Sequence, residues 1–304
     1  MNRVLILVLA LGLDAVLGEP RRAHPLVAFG RMAQRVERHL YGERDDSWRR
    51  FRGVLAVALL LMPFIVVAAM LARPSRVGMT AAVVLLYLAL GGRSLAEHAA
   101  RVQKALAADD LQDARTQVSR VVSRDTADMM PADVSRAAVE SVLENGNDAV
   151  FGALFWFLLG GAPGAVLYRL TNTLDAMWGY RSPRYLQFGW AAARLDDLLN
   201  FIPARLTALT YALVGRSADA IRCWWGQARL WDSRNAGAVM ASGAGALQLR
   251  LGGPAVYHGQ SRNRPVLGQG TSPQPRDIAR ALALVRRGVL LWLAVITTGV
   301  LVHA

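Results

Sequence analysis

The chain is poor in the residues that build disulfides and metal clusters. Cys223 is the single cysteine among 304 residues, so neither an internal disulfide nor a thiolate metal cluster can form. The five histidines are scattered and never take the spacing HExxH, which disfavours a zinc enzyme. The sequence also contains no GxxxxGK[ST] and no GxGxxG motif, so any nucleotide must bind at a non-standard site.

Charged residues are scarce as well. They make up 19% of the chain and hydrophobic residues 54%, whereas about a quarter of a soluble domain is usually charged. Lys104 is the single lysine, arginine supplies 34 of the 35 basic residues, and the net charge is +13. The arginines are spread over every polar loop instead of forming one patch, which argues against a nucleic-acid partner. The remaining interpretations are a membrane topology signal and recognition of anionic substrates.

In place of charged residues, the chain contains long apolar runs. Residues 53–72 are 20 uncharged residues in a row, enough at about 1.5 Å each to cross a hydrocarbon core of roughly 30 Å. A second run at 77–90 predicts a helical hairpin with the first, and the run at 288–303 predicts a C-terminal anchor. The N-terminus resembles a signal peptide, but Asp14 interrupts its apolar core and no A-x-A site follows. We therefore expect a retained first helix.

Other segments mix apolar and polar character. Residues 149–167 contain a central GGAPG, which breaks helices and predicts two half-helices or a re-entrant hairpin. Residues 195–214 are apolar but carry charged side chains, and residues 93–147 form a polar stretch with helical periodicity. The sequence thus predicts an all-α, polytopic membrane protein with about four to six membrane-embedded helices. Residues 1–304 are expected to form a single membrane domain, with 93–147 as a cytoplasmic-facing helical insert.

The distribution of basic residues predicts part of the topology. Nine arginines lie between 18 and 52, and seven basic residues lie in 93–147, so both segments are expected in the cytoplasm with the turn at 73–76 outside. The 16 basic residues of 169–287 favour the cytoplasm too. One straight span at 149–167 would put that region outside, which favours the re-entrant alternative.

Four polar clusters lie inside or beside this apolar sequence. Ionisable groups at membrane depth cost at least about 2.5 kcal/mol each, so they need a partner or a function. The first cluster, LDAVLGEPRRAHPL with His24, fits either an interfacial arginine loop or an anion site. In the second, Glu140, Glu144 and Asp148 recur every four residues, and an uninterrupted α-helix would stack them on one face. They indicate either a solvated helix end or an oxygen-ligand site for Mg²⁺ and nucleotide.

The third cluster is the densest, with nine polar groups interleaved with aromatics within 34 residues. Its members are Asn172, Asp175, Arg181, Arg184, Arg194, Asp196, Asp197, Asn200 and Arg205. Guanidinium groups suit bidentate binding of phosphates or carboxylates, but ion pairs that hold helices together are the alternative. In the fourth cluster, Gly237, Ala241 and Gly245 favour close helix packing, whereas Ser233 and Asn235 are suited to cap a helix that faces an anion.

In this order the clusters resemble the adenosylcobinamide-phosphate synthase family of cobalamin biosynthesis, the CobD/CbiB family. The likeness rests on LDAVLGEP, HPL and FGR, on RDTADM at 124–129, on ESVLEN, on the block from NTLDAM to IPARLTAL, and on NAG, AGAL and LGGPAVY. It covers almost the whole chain. The family's usual Ser-Pro-Asn-Ala-Gly is Ser-Arg-Asn-Ala-Gly at 233–237, and the region around Gly146 and Asn147 also diverges.

The resemblance implies a multi-pass enzyme of the bacterial inner membrane, an amide-forming ligase surrounded by membrane lipids. Its substrates would be adenosylcobyric acid, at one propionate carboxyl, and aminopropanol or its phosphate. ATP and Mg²⁺ are implied as co-substrate and metal. The oligomeric state, including a homo-oligomer, stays open.

The expected site residues follow from this chemistry. The expected catalytic or metal-binding acids are Glu140, Glu144, Asp148, Asp175, Asp196 and Asp197. The expected phosphate- or carboxylate-binding residues are Arg181, Arg184, Arg194, Arg205, Asn145, Asn172, Asn235 and His24. Three other functions remain open from the residues alone: Mg²⁺-dependent phosphotransfer on a lipid phosphate, for which DDLLN is a weak signal, transport, and a non-catalytic membrane scaffold.

Overall fold

The computed structural model describes residues 3–20, 24–42, 45–257 and 259–302. The N-terminal helices are α1 (Arg3–Leu17), α2 (Pro25–Leu40), α3 (Asp46–Leu71) and α4 (Arg76–Ala89). The middle of the chain forms α5 (Gly92–Ala107), α6 (Leu111–Val118), α7 (Pro131–Gly146), a π-helix (Asn147–Phe151), α8 (Gly152–Trp178) and α9 (Tyr185–Phe188). The last part forms α10 (Trp190–Val214), α11 (Ser217–Gln227), a 3₁₀ turn (Ala228–Leu230), α12 (Arg234–Leu247), strands β1 (Leu251–Tyr257) and β2 (Gln260–Leu267), and α13 (Pro275–Val302).

Four helical segments of the described chain are long and apolar enough to cross a membrane. They are Asp46–Leu71, Arg76–Ala107, Pro131–Trp178 and Pro275–Val300. On α3, Leu59 and Met62 are 53% and 56% exposed, as expected for side chains that face lipid instead of a protein core. The predicted hairpin and the predicted fold class, a helical membrane protein, are confirmed. The C-terminal anchor is longer than predicted, because its helix begins at Pro275 and not at residue 288.

The predicted break in the segment 149–167 is confirmed. Two helical stretches of α8 meet at Gly161, whose φ of 65° and ψ of −157° are not helical. A side chain disfavours this conformation, so the break requires glycine there. Pro163 begins the second stretch where a missing backbone N–H is tolerated. The helix predicted at the N-terminus agrees with α1. That this helix is retained and not cleaved as a signal peptide stays a prediction.

A small β-hairpin was not predicted. Strands β1 and β2 pair in antiparallel fashion, with an irregularity between Gly252 and Gly253, both at φ 76°. Consecutive glycines and a proline in β1 hide the alternation that marks a strand in a sequence. The hairpin therefore adds a β element to the predicted all-α fold.

The helices form two compact units. The first comprises the described parts of Met1–Gly91 and Asp148–Phe201, and the second those of Gly92–Asn147 and Ile202–Ala304. The core of the first unit gathers Phe29, Leu60, Leu174, Trp178 and Phe188. The single membrane domain and the cytoplasmic position of residues 93–147 stay predictions.

Small residues allow close helix packing in the second unit. A Cβ on Gly245 would lie 2.5 Å from the backbone oxygen of Asp219, and one on Gly237 would lie 2.4 Å from that of Ala228. These glycines therefore let α12 approach α11 and the 3₁₀ turn. The packing interpretation of the fourth cluster is confirmed.

Candidate functional site

Two helix segments of the first unit share a half-buried network of neutral hydrogen-bond donors around one carboxylate. The second stretch of α8 carries Tyr168 and Asn172, and the first half of α10 carries Asp196 and Asn200. Asn200 Nδ2 donates to Asp196 Oδ2 at 3.0 Å, and Asn172 Nδ2 donates to Asp196 Oδ1 at 3.4 Å. Tyr168 donates its hydroxyl to Asn200 Oδ1 at 2.8 Å. The predicted shared face of Asp196 and Asn200 is confirmed, and the network orients the carboxylate.

Asp196 belongs to a group of interacting acids that we call the aspartate cluster, consisting of Asp148, Asp175, Asp196 and Asp197. Burial raises the pKa of Asp196, and the carboxylates of Asp148 and Asp175 raise it further. Asp175 in turn is repelled by Asp148 and Asp197. The amides that bind Asp196 carry no charge to offset this repulsion. Such a cluster is suited to accept a proton or a cation.

The aspartate cluster does not form a preassembled magnesium site. Among the described residues, no group of three or more His, Cys, Asp or Glu side chains is arranged to hold a metal ion. Magnesium usually keeps several waters and binds through one or two carboxylates together with substrate phosphates. The cluster therefore fits Mg²⁺ that enters with a nucleotide better than a resident ion, and the metal prediction stays a prediction.

A cationic side chain of α8 pairs with an acid that follows α1. Arg169 Nη2 is 3.6 Å from Glu19 Oε1, and a Cβ on Gly91 would be 3.4 Å from Arg169 Nη2. Gly91 donates its backbone N–H to the carbonyl of Ala149 at 3.0 Å. Arg169 thus lies close to Glu19 and Gly91 in the first unit.

His24, predicted to bind substrate, lies in the same neighbourhood. Its Nδ1 accepts the backbone N–H of Leu26 at 3.1 Å, which caps α2. Its buried Nε2 has no hydrogen-bond partner among the described residues, and the same holds for Arg169 Nε. Burial lowers the pKa of His24, Glu19 raises it and Arg169 lowers it. Arg21 and Arg22 of this motif lie outside the described residues.

Arg184, predicted to bind phosphate or carboxylate, forms an ion pair with a carboxylate of its own unit. Its Nε and Nη2 donate to Glu37 Oε1 at 2.9 and 2.6 Å. Trp178 Nε1 donates to Glu37 Oε2 at 3.1 Å, and the Tyr185 hydroxyl donates to Oε1 at 3.2 Å. Because Glu37 is buried, this set fixes the turn after α8. The ion-pair alternative is thus observed for Arg184, whereas its phosphate contact stays a prediction.

Arg181 and Arg194 remain accessible to ligands. Arg194 Nη1 is 3.6 Å from Asp197 Oδ2, and its side chain is 66% exposed. Arg181 is exposed, with no hydrogen bond or ion pair to a residue that the structure describes. Exposed ion pairs of this kind contribute little to stability, so both guanidiniums are available to an anionic substrate.

Glu140, predicted as a catalytic or metal-binding acid, forms ion pairs within the fold. In the second unit, its Oε2 accepts from Arg124 Nη2 at 2.7 Å and from Arg264 Nη1 at 3.1 Å, while Oε1 accepts from the backbone N–H of Gly252 at 2.7 Å. The side chains of Glu140 and Arg124 are only 6% and 5% exposed. We call Glu140, Arg124 and Arg264 the ion-pair hub. Since both carboxylate oxygens are occupied, the hub fastens the β-hairpin to α7 and leaves no ready metal ligand.

The predicted stack of acids is formed only in part, since Glu140 and Glu144 lie within α7 but Asp148 lies in the π-helix. The α-helix ends at Gly146, and Asn147–Phe151 is π-helical, so the uninterrupted α-helix that the stack requires is absent from this stretch. Glu144 is half-buried. Asn145, predicted to orient substrate, donates Nδ2 to the carbonyl of Ser141 at 2.9 Å and so stabilises its own helix.

Arg205 and Asn235, each predicted separately as a ligand-binding residue, contact each other in the second unit. Arg205 Nη1 donates to Asn235 Oδ1, and Asn235 is buried. Ser233 caps α12 by accepting the backbone N–H of Ala236 at 3.3 Å, as predicted. Asn235 is not a cap; it lies in the first turn and orients Arg205.

Several residues of these sites were not predicted from the sequence: Glu37, Arg124, Arg169 and Arg264. Arg124 lies in the motif RDTADM, which carried a signal. Arg169 stands alone in an apolar helix, and that isolation was a usable signal at membrane depth. Glu37 and Arg264 occur in ordinary polar segments, and only the folded chain reveals their partners.

Comparison with known proteins agrees with these observations. The family model for the CobD/Cbib protein matches residues 7–285. This chain belongs to the CobD/Cbib family. The assignment places it in cobalamin biosynthesis, and the four apolar helical segments make it a membrane protein of that pathway.

Relatives within the CobD/Cbib family are similar over nearly their whole length. A Cobalamin biosynthesis protein CobD of Stutzerimonas stutzeri is 58% identical over 299 residues, with 98% of each chain covered. One of Chromobacterium violaceum is 60% identical over 298 residues, covering 97% of this chain and 96% of the relative. One of Mycobacterium tuberculosis is 43% identical over 281 residues, covering 90% and 88%. No solved structure matches the chain significantly.

Proposed function

We propose that this CobD/Cbib family member forms an amide in the bacterial inner membrane, joining a propionate carboxyl of adenosylcobyric acid to aminopropanol or its phosphate, with ATP as the energy source. The observation that carries the proposal is the aspartate cluster, in which Asp196 is held by two amides and repelled by neighbouring acids. Membership in a cobalamin biosynthesis family supports a corrinoid substrate.

The chemistry requires activation of a poor electrophile. The propionate oxygen attacks the terminal phosphorus of ATP, so that ADP leaves and an acyl phosphate forms. The amine nitrogen then attacks the acyl carbon, phosphate leaves, and one proton of the amine passes to a base. Positioning of charged groups supplies most of the rate in such transfers.

Asp196 is the best candidate for the base. Its raised pKa makes the carboxylate a better proton acceptor than an ordinary aspartate, and Asn172 and Asn200 hold it in one orientation. Asp148 and Asp197 would hold Mg²⁺ together with the nucleotide, where the ion would neutralise phosphate charge. Arg181 and Arg194 are exposed guanidiniums suited to phosphates or corrin carboxylates.

The test is an assay of the purified full-length chain with adenosylcobyric acid, the amine donor and MgATP, with the amide identified by mass. We expect stoichiometric amide and ADP from the unmodified chain. Asp196→Asn should slow amide formation at least about 100-fold without lowering the thermal midpoint. The matched control is Asp46→Asn, which makes the same change in the same unit at a side chain that is 68% exposed, and it should keep full activity.

Two results would overturn the proposal. One is normal turnover by Asp196→Asn. The other is absence of the amide with either donor from a folded protein, while a prenyl phosphate is turned over in a parallel reaction. That second result would favour phosphotransfer on a lipid phosphate instead.

A further inference from the structure

A cavity of about 400 Å³ opens beside the first turn of α12 in the second unit. Three arginines and two tryptophans line it: Arg205, Arg229, Arg234, Trp224 and Trp225. The cavity thus combines guanidinium groups with flat aromatic surfaces, and no acidic residue is among its lining residues.

The sequence builds this cavity through close backbone packing. Gly237 lets the first turn of α12 approach the 3₁₀ turn, because a Cβ there would collide with the carbonyl of Ala228. This approach brings Arg229 of the 3₁₀ turn beside Arg234 at the start of α12. A small cluster of alanines, against which Trp224 packs, lies beneath.

The lining of the cavity brings three positive charges together without an acidic side chain among the lining residues. Arg205 is oriented by the buried Asn235. Burial lowers the pKa of Arg205, and the charge of Arg234 lowers it further, so the two guanidiniums repel each other. The N-terminus of α12, a helix of 14 residues, adds its own partial positive charge at the same place. An anion in the cavity would relieve this repulsion.

We propose that this cavity binds the phosphate group of a phosphorylated ligand, with Arg205, Arg229 and Arg234 around the phosphate and the ligand's flat or apolar part against Trp224 and Trp225. Guanidiniums match phosphate oxygens in geometry and charge, and indole rings suit both nucleobases and the membrane interface. The phosphate has two possible sources, a soluble substrate or a lipid headgroup. The inference rests on the proposed function only for the identity of a soluble ligand.

Binding is measured without turnover, so that it does not depend on the amidation assay. The full-length protein is placed in phosphatidylcholine nanodiscs and titrated with inorganic pyrophosphate by calorimetry. We expect saturable binding that weakens at least about tenfold in Arg229→Gln/Arg234→Gln, since each charge-assisted contact contributes strongly. The matched control is Arg216→Gln/Arg222→Gln, which removes two exposed arginines that pair with Asp219 outside the cavity. It should bind within about twofold of the unmodified chain.

A second arm identifies the source of the phosphate. Native mass spectrometry of protein from phosphatidylglycerol-containing membranes shows whether lipid is retained. Phosphatidylglycerol retained by the unmodified chain and lost in Arg229→Gln/Arg234→Gln supports a headgroup site, whereas pyrophosphate binding without retained lipid supports a soluble ligand. Equal pyrophosphate binding by both proteins overturns the inference, and so does the absence of pyrophosphate binding together with lipid retention that is equal in both proteins. A failed amidation assay with this binding intact would overturn only the proposed function.

Discussion

The two units surround their acidic side chains in opposite ways. In the ion-pair hub, Glu140 receives two guanidiniums and a backbone N–H, so its negative charge is fully compensated. In the aspartate cluster, Asp196 receives hydrogen bonds from neutral amides and is repelled by Asp148 and Asp175. Glu140 therefore stabilises the fold through its partners, whereas Asp196 is oriented by its partners without compensation of its charge.

We expect this difference to separate structural from functional acids better than burial or spacing does. A compensated charge has no remaining capacity for a ligand, whereas repelled charges become more favourable when a cation or proton arrives. The hub should therefore respond to mutation through stability and the cluster through activity. The following predictions test that division.

The largest effect on stability is expected at the hub. Glu140→Gln leaves two buried guanidiniums without a counter-charge, which should cost about 3–5 kcal/mol in the free energy of unfolding. Thermal unfolding in detergent measures it. Turnover per folded molecule should remain near normal; a stable but inactive Glu140→Gln protein would give Glu140 the catalytic role predicted from the sequence.

Replacing the whole hub tests whether the cost comes from isolated charges. In Arg124→Met/Glu140→Leu/Arg264→Met no charge remains buried, and apolar replacements of ion-pair triads are often neutral or stabilising. We expect this protein to be more stable than Glu140→Gln, despite the lost acceptor of the Gly252 N–H. A triple variant less stable than the single one would refute the charge argument.

The cluster should show the reverse behaviour. Asp175→Asn removes a charge that Asp148 and Asp197 repel, so the thermal midpoint should stay constant or rise, as often happens at functional sites. Amide formation should fall about 100-fold, because misplaced charges disturb the positioning of reactants. An active protein of lower stability would put Asp175 with the structural acids.

The kink in α8 offers a smaller effect on the first unit. Gly161→Ala places a side chain in a glycine-only conformation and should cost about 1–3 kcal/mol. Its neighbour Gly160 has open space around its Cβ position and no positive φ, so Gly160→Ala should be neutral or stabilising by up to about 1 kcal/mol. Unfolding curves that do not distinguish the two variants would show that the kink is not required.

The smallest effect concerns pH. Because burial lowers the pKa of His24 from 6.5, the unfolded chain takes up the proton more readily, and stability falls as pH drops through that value. His24→Asn keeps a capping side chain without a titratable ring. Between pH 8 and 5.5 the unmodified chain should lose more stability than His24→Asn, by at most about 1.4 kcal/mol per pH unit. Parallel losses would show that His24 does not titrate in this way.

The features that could be predicted from the sequence depend on neighbouring residues alone. The long apolar runs indicate helices without any partner, and the residues of GGAPG interrupt α8 through their own backbone preferences. Ser233 caps α12 through neighbours within three residues. The order of the polar motifs led to the CobD/Cbib family without reference to any contact.

What could not be predicted depends on distant partners. Glu140 was predicted as a metal ligand because its neighbours in the sequence do not indicate Arg264, its partner 124 residues away. In the same way, the neighbours of Arg184 in the sequence do not indicate its ion pair with Glu37, which is 147 residues away. The π-helical turn at Asn147–Phe151 changes the spacing on which the predicted stack of acids depended, and nothing in its composition distinguishes it from an α-helix.

The hub also has a consequence for how the chain is made. Arg124 leaves the ribosome before Glu140, whereas Arg264 follows 124 residues later, an interval of about 6–25 s at ordinary bacterial elongation rates. During that interval the half-built protein holds Glu140 with one arginine and no hairpin. The last third of the nascent chain therefore completes the ion-pair hub. Truncated products lack Arg264 and the hairpin, and quality-control proteases should recognise them for that reason.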